Sequence, residues 1–67
     1  MINRKAIKNR MKETGVTIKD LAQALGRSEC VTYEKIGGRS YLTIEQAETI
    51  QTALQIPDRD FGYYFFA

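Results

Sequence analysis

The side chains that usually carry catalytic or metal chemistry are scarce in this sequence. Its 67 residues include no His and a single cysteine, Cys30. A zinc site needs four ligands of the Cys, His or carboxylate type, and no such spacing is present. Nucleophilic triads lack their His base, although serine–lysine chemistry is not excluded by residue type alone. The sequence therefore predicts no enzyme, no metal site and no cofactor.

Basic side chains are abundant by comparison, and they are unevenly distributed. Residues 1–39 carry nine Lys or Arg and four Asp or Glu, a net charge of +5, whereas residues 40–67 carry one and four, a net charge of −3. Such asymmetry is typical of a domain in which one half meets an anion. Solvated helix surfaces remain the alternative explanation of the charges taken alone.

The length and the hydropathy of the chain define the domain that holds these cations. A chain of 67 residues is enough for one domain, residues 1–67, with a thin core that buries roughly 60% of the unfolded surface. No stretch approaches the roughly 20 apolar residues of a membrane span, and no apolar run follows the basic start. A lone cysteine forms no intrachain disulfide, which favours a reducing compartment. The sequence predicts a cytoplasmic protein without a membrane partner.

Capping residues and apolar spacing predict a first helix. Asn3 can cap a helix that runs to about Glu13, and Gly15 can end it in the left-handed conformation. Ile7 and Met11 lie one turn apart on its inner side. The outer side of this helix carries Arg4, Lys5, Lys8 and Lys12.

A second helix is predicted from Thr17, where Asp20 has the spacing of a capping box. Apolar residues at i, i+3, i+4 and i+7 form one inward stripe along it. Gly26 then ends the helix. The stripe consists of Ile18, Leu21, Ala22 and Leu25.

Two more helices follow. Ser28 can cap a third helix that runs to about Ile36 and stops at Gly37-Gly38, and Thr43 opens a fourth with the capping box "TIEQ". The fourth helix has an inward stripe and an outer face that meets water. The inward stripe is Ile44, Ala47, Ile50 and Leu54, and the outer residues are Glu45, Glu48 and Gln51.

Pro57 marks the next break, and the segment "PDRDF" predicts one last turn that brings Phe61 into the core. The aromatic tail, residues 61–67, includes the stretch "YYFFA", whose strand propensity makes it the exception in a helical chain. Its aromatic residues Tyr63, Tyr64, Phe65 and Phe66 either cover the thin core or contact a second subunit. Both alternatives hold if the residues divide the two roles.

The second and third helices form a helix-turn-helix over about residues 17–36. The stretch "LAQALG", the serine that follows, "KIGGR" and "YLTIEQAETIQTALQI" resemble the Cro/repressor-like (XRE-type) regulators that are common in phages and bacteria. The resemblance covers about residues 5–61. It implies an all-α, lambda-repressor-like DNA-binding fold, a compact bundle of four to five short helices.

The resemblance also implies a function. A protein of this kind is a sequence-specific transcriptional regulator, here a Cro-like repressor of phage or prophage type, located at the nucleoid of a bacterial host. The implied partners are a double-stranded DNA operator and a second copy of the chain, at least on DNA, with no small-molecule ligand. In such regulators the third helix lies in the major groove, and its N-terminal residues meet base edges.

Site residues follow from that placement. By resemblance, the base-reading residues are Ser28, Glu29, Cys30, Tyr33 and Glu34, although Cys30 is equally well explained as a small residue that fills a half-buried gap. The helix N-termini at Thr17 and Ser28 offer N–H groups to phosphate oxygens. The expected phosphate-contacting residues are Thr17, Lys19, Arg27, Lys35, Arg39 and Ser40.

Two features depart from the simplest form of this interpretation. Thr32 stands where the family usually has a buried aliphatic residue, so either its hydroxyl bonds back to the helix or a slight rotation buries Val31 instead. Glu29 and Glu34 would lie near phosphates and repel them, which requires compensation by neighbouring cations. The acids and the aromatic tail also fit an alternative function, a helix-turn-helix module that binds another regulator rather than DNA.

Overall fold

The described part of the chain is an all-α bundle, as the sequence predicts. A computed structural model describes residues 2–39 and 41–66. The structure is 70% helical, and the described residues contain no strand. The elements are α1 (Arg4–Thr14), α2 (Ile18–Leu25), α3 (Glu29–Ile36), α4 (Ile44–Ala53), a short 3-10 helix (Asp58–Asp60) and α5 (Phe61–Phe65).

The predicted capping residues begin the first four helices. The Asn3 carboxamide oxygen accepts a hydrogen bond from the Ala6 N–H at 3.2 Å, and the Ser28 hydroxyl accepts one from the Val31 N–H at 3.2 Å. Full capping boxes form at Thr17 in α2 and at Thr43 in α4. Each cap satisfies N–H groups that the helix itself leaves free, so these boundaries are fixed locally.

The turn between α2 and α3 depends on Gly26. This residue has φ of +68°, in the left-handed region that favours glycine, and its N–H donates to the carbonyls of Ala22 and Gln23. The N–H of Arg27 donates to the carbonyl of Ala22 at 3.0 Å. The chain therefore reverses within three residues and enters α3 directly at Ser28.

The core lies where α2 meets α3 and α4. Leu21 of α2 is fully buried, and Ala22 beside it is small enough to let a neighbouring helix approach. Every other α-helix contributes to the same cluster, and the loop after α4 adds Ile56. The buried cluster is Ile7, Leu21, Ile36, Ala47, Ile50, Leu54, Ile56 and Phe65.

Two residues of α4 have a different exposure from the one that the sequence predicts. Ile44 is 59% exposed rather than inward, because at about 100° per residue it lies at the edge of the stripe that Ala47, Ile50 and Leu54 define. Gln51 is half-buried rather than directed into water. Its side-chain amide donates to the Ile56 carbonyl at 3.1 Å and to the Asp58 carboxylate at 2.6 Å, so it supports the chain reversal after α4.

The aromatic tail is helical, and its residues divide into two roles. The strand alternative is wrong over its described residues, because α5 packs against α1 and the Tyr64 carbonyl accepts from the Asn3 N–H at 2.7 Å. Phe65 belongs to the core, and Phe61 packs against the core as predicted. The side chains of Tyr63 and Phe66 are exposed. Burial removes Phe65 from the predicted subunit contacts.

Thr32 is fully buried on the inner face of α3, whereas Val31 is 38% exposed, so the helix is not rotated. The Thr32 hydroxyl has no hydrogen-bond partner among the described residues. The predicted bond from this hydroxyl back to the helix is therefore wrong. A buried hydroxyl without a partner loses its hydration and regains nothing, which destabilises the folded state.

We expect the Thr32→Val variant to be more stable than the parent by about 1 kcal/mol, because valine keeps the side-chain shape and removes the unpaired hydroxyl. Urea unfolding followed by circular dichroism measures this change as a higher midpoint with an unchanged slope. Thr32→Ser is the matched control, because it keeps the hydroxyl, loses a buried methyl group and should be less stable than the parent. A destabilised valine variant would contradict the assignment.

Candidate nucleic-acid interface

The outer face of α3 is open to solvent along its whole length. Thr32 and Ile36 point into the core, so Cys30 and Glu34, which lie opposite them on the helix, stand at the centre of the exposed face. Glu29 is also exposed, but at about 100° per residue it lies roughly 60° from Thr32, on the Tyr33 side of the helix. All three of these predicted base-reading residues are accessible, Cys30 and Glu34 at the centre of the outer face and Glu29 at its margin.

Tyr33 and Val31 flank this centre on opposite sides. Tyr33 lies towards α1, where the Lys8 ammonium is 5.9 Å from the centre of its ring, within range of a cation–π interaction. The sequence interpretation did not include Val31 among the readers. Val31 could have been identified from its position next to Cys30 in the first turn of α3, because residues on the side of the helix away from Thr32 and Ile36 must be exposed.

Ser28, the remaining predicted base-reading residue, is exposed at the start of α3. Its hydroxyl oxygen accepts from the Val31 N–H, which leaves the hydroxyl hydrogen free to donate to an external acceptor. The backbone N–H groups at the beginning of the helix also point outward, as at any helix N-terminus. The start of α3 therefore presents several hydrogen-bond donors in one small area.

Cations stand close to both ends of α3. Arg27 lies immediately before the helix and Arg39 shortly after it, and Lys19 lies in the first turn of α2. All three are exposed, and none of them is in an ion pair with another described residue, where the salt bridges are Arg10–Glu13 and Arg59–Asp60. Their charges are therefore available to an external anion.

Two other cations serve the fold. The Lys35 ammonium donates to the Tyr41 carbonyl at 2.7 Å, and the side chain is half-buried, so contact with a phosphate would require it to exchange partners. The Arg10 guanidinium donates to the carbonyls of Leu54 and Gln55 at 2.9 and 2.6 Å, which joins α1 to the end of α4. The sequence did not predict this role of Arg10, because both of its acceptors are far from it along the chain. Ser40, the remaining predicted phosphate contact, lies outside the described residues.

The N-terminus of α2 is already occupied by an anion of the protein itself. The Asp20 carboxylate accepts from the Thr17 N–H at 2.9 Å, while the Thr17 hydroxyl accepts from the Asp20 N–H at 3.2 Å. The hydrogen bond from the Thr17 backbone is the largest cause that lowers the pKa of Asp20 below its usual value, and Lys19 adds a smaller effect in the same direction. A phosphate at Thr17 would therefore meet a carboxylate as well as the helix dipole.

Glu29 and Glu34 make the outer face of α3 electrostatically mixed. Both are exposed, and neither forms an ion pair with another of the described residues. A carboxylate in the major groove can accept from the N4 amino group of cytosine, but it repels phosphates that come close. Attraction to an anionic partner must come from the cations that surround the face.

No protein-family model, curated protein or solved structure matches this chain. None of the described helices is long and apolar enough to cross a membrane. The function must accordingly be inferred from the geometry and the chemistry of the α2–α3 surface.

The ionised form of Asp20 should stabilise the protein in a pH-dependent way. Because its pKa is lowered on folding, this contribution is present above the unfolded pKa near pH 3.9 and is lost as the pH falls through the lower folded pKa. We expect Asp20→Asn, which keeps an oxygen acceptor for the Thr17 N–H, to be less stable than the parent at pH 6, and we expect this difference in stability to be smaller at pH 2. Thermal unfolding at both pH values measures the difference.

Glu48→Gln, which removes an exposed carboxylate on α4 that forms no ion pair with another described residue, is a control outside the α2 N-terminus. The stability gap between the parent and Asp20→Asn should narrow on acidification more than the gap for this control. If the gap between the parent and Asp20→Asn is the same at both pH values, the capping carboxylate does not titrate as described.

Proposed function

We propose that the protein binds double-stranded DNA in a sequence-specific manner, with α3 in the major groove, and acts as a transcriptional regulator similar to the Cro/repressor-like proteins. One observation carries this proposal. The outer face of α3 is open, and arginines that form no ion pair with any other described residue stand close to both of its ends, Arg27 before it and Arg39 after it. This arrangement allows the flanking cations to contact phosphates while the helix between them meets base edges.

The dimensions of α3 suit this role. An α-helix with its side chains is about 10–12 Å across, and the major groove is about 12 Å wide, so a helix such as α3 fits into it. The first turn would enter the groove, with Ser28, Glu29 and Cys30 closest to the base edges. A serine hydroxyl bonds several bases, a carboxylate accepts from cytosine, and a small thiol contacts a thymine methyl group.

A second copy of the chain on the same DNA is part of the proposal. Consecutive half-sites on one face of the duplex are about 34–36 Å apart. The domain measures 28 × 24 × 20 Å, so one copy does not reach from one half-site to the next. Tyr63 and Phe66, the exposed residues of the aromatic tail, offer apolar surface for a contact between two copies.

A second candidate function is a helix-turn-helix module that binds another regulator. The observation that favours it is the composition of the exposed face of α3, whose centre carries a thiol and a carboxylate rather than a cation. Such a module needs no affinity for phosphates. Binding to random duplex DNA at low salt separates the two functions, because an interaction module should show none.

Phosphate contacts give the first test of DNA binding. We expect Arg27→Ala and Arg39→Ala each to weaken binding to every duplex sequence and to make the salt dependence of the binding constant shallower by about one unit, since each contact releases counterions. Fluorescence anisotropy with a labelled duplex at several salt concentrations measures both quantities.

Arg59→Ala is the matched control for these variants. It removes the same charge from an exposed arginine of the 3-10 helix, where Arg59 lies 4.0 Å from Asp60. This control should change the salt dependence much less. An equal effect of all three substitutions would mean that net charge alone governs binding and that the α2–α3 surface is not the interface.

Base reading gives the second test. Selection of bound sequences from a random duplex pool should yield a preferred site for the parent, and Glu34→Gln should change the preference at particular base pairs, with about 1–3 kcal/mol at stake in each good base contact. Glu48→Gln on α4 is the control with the same change in charge. An identical preferred site for the parent and both variants would remove Glu34 from the reading surface, and no enrichment for the parent would overturn sequence-specific binding.

A further inference from the structure

A groove of about 550 Å³ lies between α1, the start of α2 and the end of α3. Its apolar lining comes from Met11 of α1, Val16 and Ile18 around the start of α2, and Ile36 of α3. Ile36 is buried, and the other three pack against the core while remaining partly exposed. The groove therefore leaves hydrocarbon surface accessible to a ligand.

Four cations surround this apolar lining, together with a single carboxylate. Arg4, Lys8 and Lys12 come from α1, and Arg39 follows α3, while Glu34 is the only acid among the described residues that line the groove. None of the four cations forms an ion pair within the part of the chain that the structure describes. The groove consequently combines a net charge of about +3 with an apolar floor. A polyanion such as DNA would pair with the charges but would not cover the apolar floor.

We propose that this groove binds a small amphipathic anion, an alkyl chain that ends in one carboxylate. The volume lies within the range of about 300–1,000 Å³ that is usual for small-molecule sites. The chain would cover the floor at Val16 and Ile18, and the carboxylate would meet the ammonium groups of Lys8 and Lys12. A DNA phosphate uses the same cations, but it leaves the hydrocarbon floor uncovered.

Occupancy of the groove has a consequence that rests on the proposed DNA binding. Tyr33 and Glu34 line the groove and also belong to the face of α3 that we assign to base reading, and Arg39 lies in the groove and in the set of phosphate contacts. A bound carboxylate neutralises part of the positive charge beside α3. The ligand and DNA should therefore compete, and the ligand would act as an inhibitor of DNA binding.

Octanoate is the probe, and 1-octanol and octylammonium are its matched controls with the same alkyl chain. Titration of the full chain, followed through the backbone amide resonances, should show saturable shifts at Val16, Ile18 and Gly37. Octanoate should bind more tightly than octanol, and octylammonium should bind least. Hexanoate, which is two methylenes shorter, should bind roughly tenfold more weakly than octanoate.

Substitutions test the contribution of the cations. Lys8→Gln and Lys12→Gln should each raise the dissociation constant of octanoate by about two- to fivefold, the effect of losing one exposed charge pair. Lys5→Gln is the control, because Lys5 is exposed on the same helix but does not line the groove. Octanol should bind equally to all four proteins. Thermal unfolding establishes that each variant folds.

Several results would overturn the proposal. These are no saturable binding of octanoate, equal affinity for octanoate and octanol, or shifts centred on a separate groove that Tyr41, Ile44 and Phe66 help to line. A separate duplex-binding assay at low salt keeps the two proposals distinguishable. Binding of octanoate without binding of DNA would support the ligand site in the groove and refute the proposed DNA-binding function. Binding of DNA without binding of octanoate would support the DNA-binding function and refute the ligand site.

Discussion

The left-handed turn at Gly26 is the constraint on which the α2–α3 surface depends. Leu21 anchors α2 in the core, and five residues later the chain reverses with the Arg27 N–H bonded to the Ala22 carbonyl at 3.0 Å. The turn has only three residues, and Ser28 caps α3 directly after it. The position of α2 therefore fixes the position of α3. A residue with a side chain at Gly26 has free space around it, yet it would be strained by the positive φ. The orientation of the proposed reading face therefore follows from a backbone conformation.

The fold divides the cations into two groups, those that donate to backbone carbonyls of the protein and those that remain exposed. Arg10 and Lys35 donate to backbone carbonyls, Arg10 to residues 44 and 45 positions away and Lys35 to a residue six positions away, so both cations stabilise the fold. Lys19, Arg27 and Arg39 have no such tasks in the described structure and remain free for a partner. This division matters because the centre of the outer face of α3 carries a thiol and a carboxylate, and no cation. In the proposed function, affinity for DNA would come from the cations around α3, and sequence discrimination would come from the residues on α3 itself.

The closing of the domain by α5 explains why the tail is only partly available. The bond between Asn3 and the Tyr64 carbonyl fixes α5 against the start of α1, and Phe65 then fills the core between them. Alternate sides of one short helix cannot both be buried in so small a domain. Tyr63 and Phe66 consequently face solvent, where a second copy of the chain could cover them.

The sequence by itself determined where the first four helices begin, because caps such as those at Thr17, Ser28 and Thr43 are bonds between residues three apart. It also determined most of the core, because apolar residues spaced three or four apart lie on one face of a helix. Only the tertiary structure decided which cations are free. The acceptors of Arg10, for example, lie 44 and 45 residues away, beyond any local pattern. It also decided that the Thr32 hydroxyl is buried without a hydrogen-bond partner among the described residues, since the space around a side chain is set by helices that meet only in the folded state.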